Sequence, residues 1–204
     1  MLSAWEKALF SLVILATIGA FIYPVYLRLQ ILRQGKPEFR TGDLWRRLGD
    51  TLAKVFLQKC TLKDERVFTG LMHVFIFYGA LTFDTMTLNH TLEGYFDKFY
   101  LFGNGGFGLF FSLLVDTFAV LVPVGVAFFI IRRFIIRPKG YRTTLFDSGL
   151  IYMLLITVTL TYLYFEAFAI ASHPESARLS FLGKTLAAGL TGLPAGTLAA
   201  HLKI

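Results

Sequence analysis

Charge is scarce in this chain. Only 16% of its 204 residues are Asp, Glu, Lys or Arg, while 55% are apolar and 22 are phenylalanine. That is too little charge to cover a water-soluble domain of this size, and it excludes one. Cysteine is nearly absent: Cys60 stands alone, so the chain by itself can build neither a disulfide nor a cysteine metal cluster. Internal repeats and low-complexity tracts are also missing. A cleavable signal peptide is excluded too, because the first apolar run follows Glu6 and Lys7 and, at about 20 residues, exceeds an ordinary signal core.

What the chain does have is long uncharged runs, at Ala8–Leu27, Val67–Leu92 except Asp84, Phe99–Ile131 except Asp116, and Ser148–Pro174 except Glu166. About 20 residues at 1.5 Å rise cross roughly 30 Å of hydrocarbon, so each can span a bilayer. The expected fold is an all-α membrane protein: a bundle of four transmembrane helices at about 8–28, 67–91, 107–131 and 148–171, forming one domain over 1–171. The loop 29–66 lies between the first two, and 172–204 forms an outer loop leading toward a fifth helix that the sequence does not contain. Lys and Arg concentrate in two loops, ten in Arg28–Arg66 and five in Arg132–Asp147, out of 20 in all. By the positive-inside rule those loops are cytoplasmic and the N-terminus is outside. The net charge of +7 therefore reports topology and an anionic lipid neighbour, with no nucleic-acid signature.

Within the first loop, Thr41–Gln58 sets Leu44, Trp45, Leu48, Leu52, Val55 and Phe56 on one helical face and Arg46, Arg47, Asp50 and Lys54 elsewhere. This is an amphipathic helix for the inner membrane interface, serving as a lipid-bound spacer or as a docking platform for a cytoplasmic partner.

The ionisable groups inside the spans carry the functional signal, because each is costly there unless partnered. His73 lies roughly 10 Å inside the second span, and Gly70, Ala80, Asp84 and Thr87 fall within about 60° of its direction. A neutral imidazole flanked by small residues can serve as an axial ligand of haem iron; equally, it can be a packing residue bonded to a neighbouring helix. His90 is about 25 Å further along, near the outer end and pointing elsewhere, so the two cannot share one iron. His173, at the outer exit of the fourth span, stands at similar depth to His90; both also read as wet interfacial residues. His201 in the tail is weaker. Asp84, Asp116 and Glu166 all belong to the outer half, and no span holds a compensating Lys or Arg. They suit a quinol pocket that sheds protons outward, or three separate interhelical hydrogen bonds.

Two literal motif matches carry nothing. The GNGGFG of Gly103–Gly108 fits a dinucleotide fingerprint, but no strand precedes it and no βαβ unit surrounds it. The glycosylation acceptor pattern at Asn89 sits at the membrane rim.

The loop RLQILRQGKPEFR, followed by LQKCTLKDERVFTGLMHVFIFYGALTF, resembles the N-terminal membrane domain of bacterial quinone-linked iron–sulfur oxidoreductases. These are the heterodisulfide-reductase-like and electron-transfer-flavoprotein:menaquinone proteins, whose membrane part is similar to the gamma subunit of respiratory nitrate reductase. Asp116, Gly125 and RRFIIRPKG continue the likeness along the third span, and TLTYLYFEAFAIA with Glu166 along the fourth, so that it reaches about Ala171.

The resemblance implies a cytochrome b domain in the bacterial or archaeal cytoplasmic membrane. Histidines on its second and fifth helices hold haem b, and it relays electrons between cytoplasmic iron–sulfur or flavin centres and menaquinone. His73 matches the ligand position on the second helix. Residue 83, where the nitrate-reductase gamma subunit has a second histidine, is Phe here, so a second haem would need His90. The relatives' T-G and E-x-x-R features are replaced by Thr161-Tyr162 and by Glu166 with Ala169. A fifth helix and the downstream cysteine motifs are also missing, which predicts that they lie in a longer polypeptide or in another chain. The leading expectation is thus a membrane cytochrome b subunit or domain. The alternative is a haem-free anchor recruiting a cytoplasmic oxidoreductase. A transporter would need paired broken helices or repeats, which are not seen.

Overall fold

The computed structural model describes residues 3–35, 43–62, 67–96, 101–103, 105–137, 145–172 and 179–190, together with 192, 194 and 197. The described residues form an all-α membrane protein with helices α1 (Ala4–Arg33), α2 (Leu44–Phe56), α3 (Val67–Tyr95), α4 (Gly106–Ile130), α5 (Leu145–Ser172) and α6 (Phe181–Ala188). The turn Ile131–Ile136 continues α4 as π-helix. Four helices are long and apolar enough to cross a membrane: α1 with 30 residues, α3 with 29, α4 and its π-helical turn with 31, and α5 with 28. Each outruns the expected span at one or both ends, because backbone hydrogen bonding continues into the interface after the apolar run stops.

The chain divides into two compact units, Met1–Lys59 with Gly94–Asp97, and Cys60–Glu93 with Lys98–Ile204. In the first, a capping box opens α1: Glu6 N–H donates to Ser3 Oγ at 3.4 Å, and the Glu6 carboxylate accepts from Ser3 N–H at 2.7 Å. Both oxygens thus satisfy amides that the first turn leaves open. Lys7 Nζ donates to the Tyr95 carbonyl at 3.0 Å, and the hydroxyls of Ser11 and Tyr95 share a hydrogen bond of 2.6 Å. Helix α2 begins and ends two to three residues inside the expected Thr41–Gln58, and no residue in it is buried.

The second unit is built on α3, α4 and α5. Phe83, Val115, Ala119, Val122, Val126 and Tyr162 form its core. Gly79 sets the α3–α4 spacing, since a Cβ there would overlap Val122 Cγ2. Close approach at small residues is how helices associate in lipid, where no hydrophobic effect drives them together. Hydroxyls in the spans satisfy themselves locally: Thr82 donates to the Tyr78 carbonyl at 2.8 Å and Thr159 to that of Leu155 at 2.9 Å. In this up-and-down arrangement the Val67, Ile136 and Leu145 ends share one side, here called the near side, and the Tyr95, Gly106 and Ser172 ends the far side. On the near side Arg132 donates to Thr69 Oγ1, tying α3 to α4. Arg137 closes the π-helical turn in left-handed conformation (φ 47), its N–H donating to the Arg132 carbonyl at 3.1 Å.

Candidate functional site

Among the described residues Asp116 is the most deeply enclosed ionisable group, 0% exposed at the heart of α4. Ten residues from Gly106, it lies about 15 Å below the far-side end of its helix. Three donors surround its carboxylate. Tyr162 Oη of α5 donates to Oδ1 at 2.8 Å, Ser180 Oγ donates to Oδ2 at 3.0 Å, and the Leu182 amide donates to Oδ2 at 2.8 Å. Ser180 is also the N-cap of α6, its Oγ accepting from Gly183 N–H at 3.1 Å. Hydrogen bonding on both oxygens is what allows a carboxyl group to be buried at this depth without a cation.

Glu166 is half-buried one turn beyond Tyr162. A Cβ on Gly183 would lie 2.7 Å from its Cγ, so α6 packs directly on it. Asp116 and Glu166 therefore meet around Tyr162 and the start of α6. Asp84 does not join them, since it is exposed on the surface of α3. Tyr162 and Ser180 join the site through packing rather than through any spacing in the sequence. The signal for Ser180 was present, as a serine directly before an apolar run is an N-cap pattern; for Tyr162 there was none beyond its place one turn before Glu166.

His73 is exposed on the near-side half of α3, as are Asp84 and Thr87 further along the same face. Gly70 does not leave an open flank beside it. It is buried, and a Cβ there would strike the Thr61 carbonyl, so this glycine serves the approach of the preceding loop. An imidazole that stands clear of its own bundle can reach a group lying against α3. Among the described residues no three His, Cys, Asp or Glu gather as a metal site.

His90 points into the far-side contact between α3 and α5. Its ring lies 4.5 Å from that of Phe165, edge to face. Nδ1 is 3.3 Å from Glu93 Oε2, and Nε2 is buried with no hydrogen-bond partner among the described residues. Next to it, Asn89 is buried and its Oδ1 accepts from Leu101 N–H at 2.8 Å. That amide holds the α3–α4 connection, which leaves the acceptor pattern at Asn89 a structural role. His173 and His201 lie outside the described residues. Around the fingerprint-like glycines the described residues contain no strand; Gly105 caps α4.

On the near side, α4 and α5 leave an apolar groove of about 340 Å³ lined by Ile130, Phe134, Gly149, Tyr152, Met153, Ile156 and Thr157. In the far half, α6 packs against the same two helices.

The chain is 28% identical over 192 residues to the probable iron–sulfur-binding oxidoreductase FadF of Bacillus subtilis, covering 88% of this chain and 27% of that protein. It is 24% identical over 166 residues to the EtfAB:quinone oxidoreductase of Syntrophomonas wolfei, covering 81% of this chain and 23% of that one. The chain thus spans about a quarter of the length of the curated relatives it matches. No family model matches. No solved structure matches. The four apolar helices make this a membrane protein, and its distant similarity is to proteins named as an iron–sulfur-binding oxidoreductase and a quinone oxidoreductase.

Proposed function

We propose that the chain is the membrane electron-transfer part of a quinone-linked iron–sulfur oxidoreductase. It carries haem b on His73 and passes electrons between a cytoplasmic iron–sulfur or flavin partner and menaquinone. The observation that supports this most is the uncovered imidazole of His73 on a membrane-crossing helix, in a chain whose relatives bear redox names. A histidine left toward hydrocarbon is costly, and ligation to a metal on that face removes the cost. Bound there, haem supplies a one-electron carrier. Of the chain's own residues, His73 would hold the haem through one ring nitrogen, with Asp84 and Thr87 exposed further along the same face, and a second ligand would come from a longer polypeptide or another chain.

The near side is cytoplasmic in this reading, since it holds the two basic loops and leaves the N-terminus outside. Menaquinone is placed at the far side, between α3 and α5. There the buried Nε2 of His90 can hydrogen-bond a quinone oxygen, with Glu93 holding the other ring nitrogen, and Glu166 can take up a proton released by quinol oxidation. His90 in this role replaces any second haem. The amphipathic helix α2, whose apolar side is uncovered with Trp45 82% exposed, favours a second reading in which the chain is a haem-free anchor for the cytoplasmic partner.

A dithionite-reduced minus oxidised absorption spectrum of the native complex separates the two. Sharp b-type bands, lost in His73→Ala, are expected. A flat spectrum from the intact complex would leave the anchor.

A further inference from the structure

We infer that residues 180–188 form a re-entrant membrane segment and that Asp116 is the latch holding it. Three contacts fix the depth and direction of α6. Its N-cap Ser180 and its Leu182 amide bind Asp116, which is about 15 Å below the far-side start of α4. Tyr162, on the other carboxylate oxygen, is ten residues from Ser172 and so lies about 15 Å below the far-side end of α5. The two helices therefore place the first turn of α6 independently at the same level, near the membrane centre. One turn on, Gly183 packs against Glu166 and Ile170, and Ala187 clusters with Ile170 and Ala171. Helix α6 thus climbs back toward the far side parallel to α5.

Such a short helix cannot stay in hydrocarbon by its own means, because the open amides of its first turn need acceptors. Ser180 satisfies one and Asp116 another. Tyr162 aims the carboxylate by fixing its second oxygen. Asp116 is a positioning residue: two of its three hydrogen bonds hold α6 and the third fixes it to Tyr162 of α5. Held in this way, α6 packs against α4 and α5 in the far half of the unit.

The test is cysteine labelling in opened native membranes, so that reagent reaches both faces whatever the orientation. With Cys60 replaced by serine, Phe181→Cys places a thiol on the exposed side of the first turn. A membrane-impermeant maleimide should leave it unlabelled until the protein is denatured, while the native Cys60 in the parent labels readily. Asp116→Ala should raise the labelling rate by roughly tenfold or more, and Ser180→Ala and Tyr162→Phe less, since each removes one of three contacts. If Asp116→Ala does not accumulate, the two milder variants decide. Free labelling of Phe181→Cys in the parent, or unchanged protection in the latch variants, overturns the inference. Haem plays no part in this readout, so the proposed function can fail while the latch stands.

Discussion

Asp116 and His73 are opposite solutions to one problem, an ionisable side chain in a hydrocarbon span. Asp116 is enclosed and satisfied by three donors from α5, the N-cap of α6 and its first turn. His73 is left on the surface of α3. Removing one donor from Asp116 orphans part of a buried carboxyl group, so Tyr162→Phe should cost about 1 kcal/mol and Asp116→Ala, which orphans three donors, about 2–3 kcal/mol. Reversible unfolding in mixed micelles by added denaturing detergent measures both. Equal stability of Asp116→Ala and the parent would show that the cluster holds nothing. His73→Ala should leave stability in haem-free protein nearly unchanged, because the side chain has little packing to lose.

At the scale of elements, spacing between helices depends on single glycines. Gly79→Val would drive a side chain into Val122 across the α3–α4 contact and should cost about 1–3 kcal/mol by overpacking. The same detergent titration reports it. The spans themselves were legible because a run of apolar residues is a direct statement about solvent, and four of them were placed to within about a turn. The amphipathic helix was legible from its 3.6-residue periodicity, although its ends moved inward by two to three residues. Helix α6 was not legible. The segment after Ala171 reads as a glycine-rich loop, and only tertiary contact with Asp116 and Glu166 makes eight residues of it helical. For the same reason Asp116 and Glu166 could be grouped by depth from sequence, while Tyr162 and Ser180 could not be added, nor Asp84 removed. Depth along a helix follows from residue number, but which face meets a neighbour depends on packing that one sequence does not display.

For the whole molecule, the distribution of Lys and Arg predicts a cytoplasmic near side, and the lone cysteine provides a native probe of it. Cys60 is exposed and lies in the first basic loop. A membrane-impermeant maleimide should label it in inside-out vesicles and leave it unlabelled in right-side-out ones. The reverse pattern would invert the topology and move the quinone region to the cytoplasmic side.

Whether His73 holds iron is the central question for this protein. Reduced-minus-oxidised spectroscopy of the native complex, purified in parallel with its His73→Ala variant, decides it. The prediction is a b-type haem signature in the parent that falls by the share of one haem in the variant while the polypeptide remains folded and in the membrane. A spectrum identical in the two, or empty in both, would contradict it.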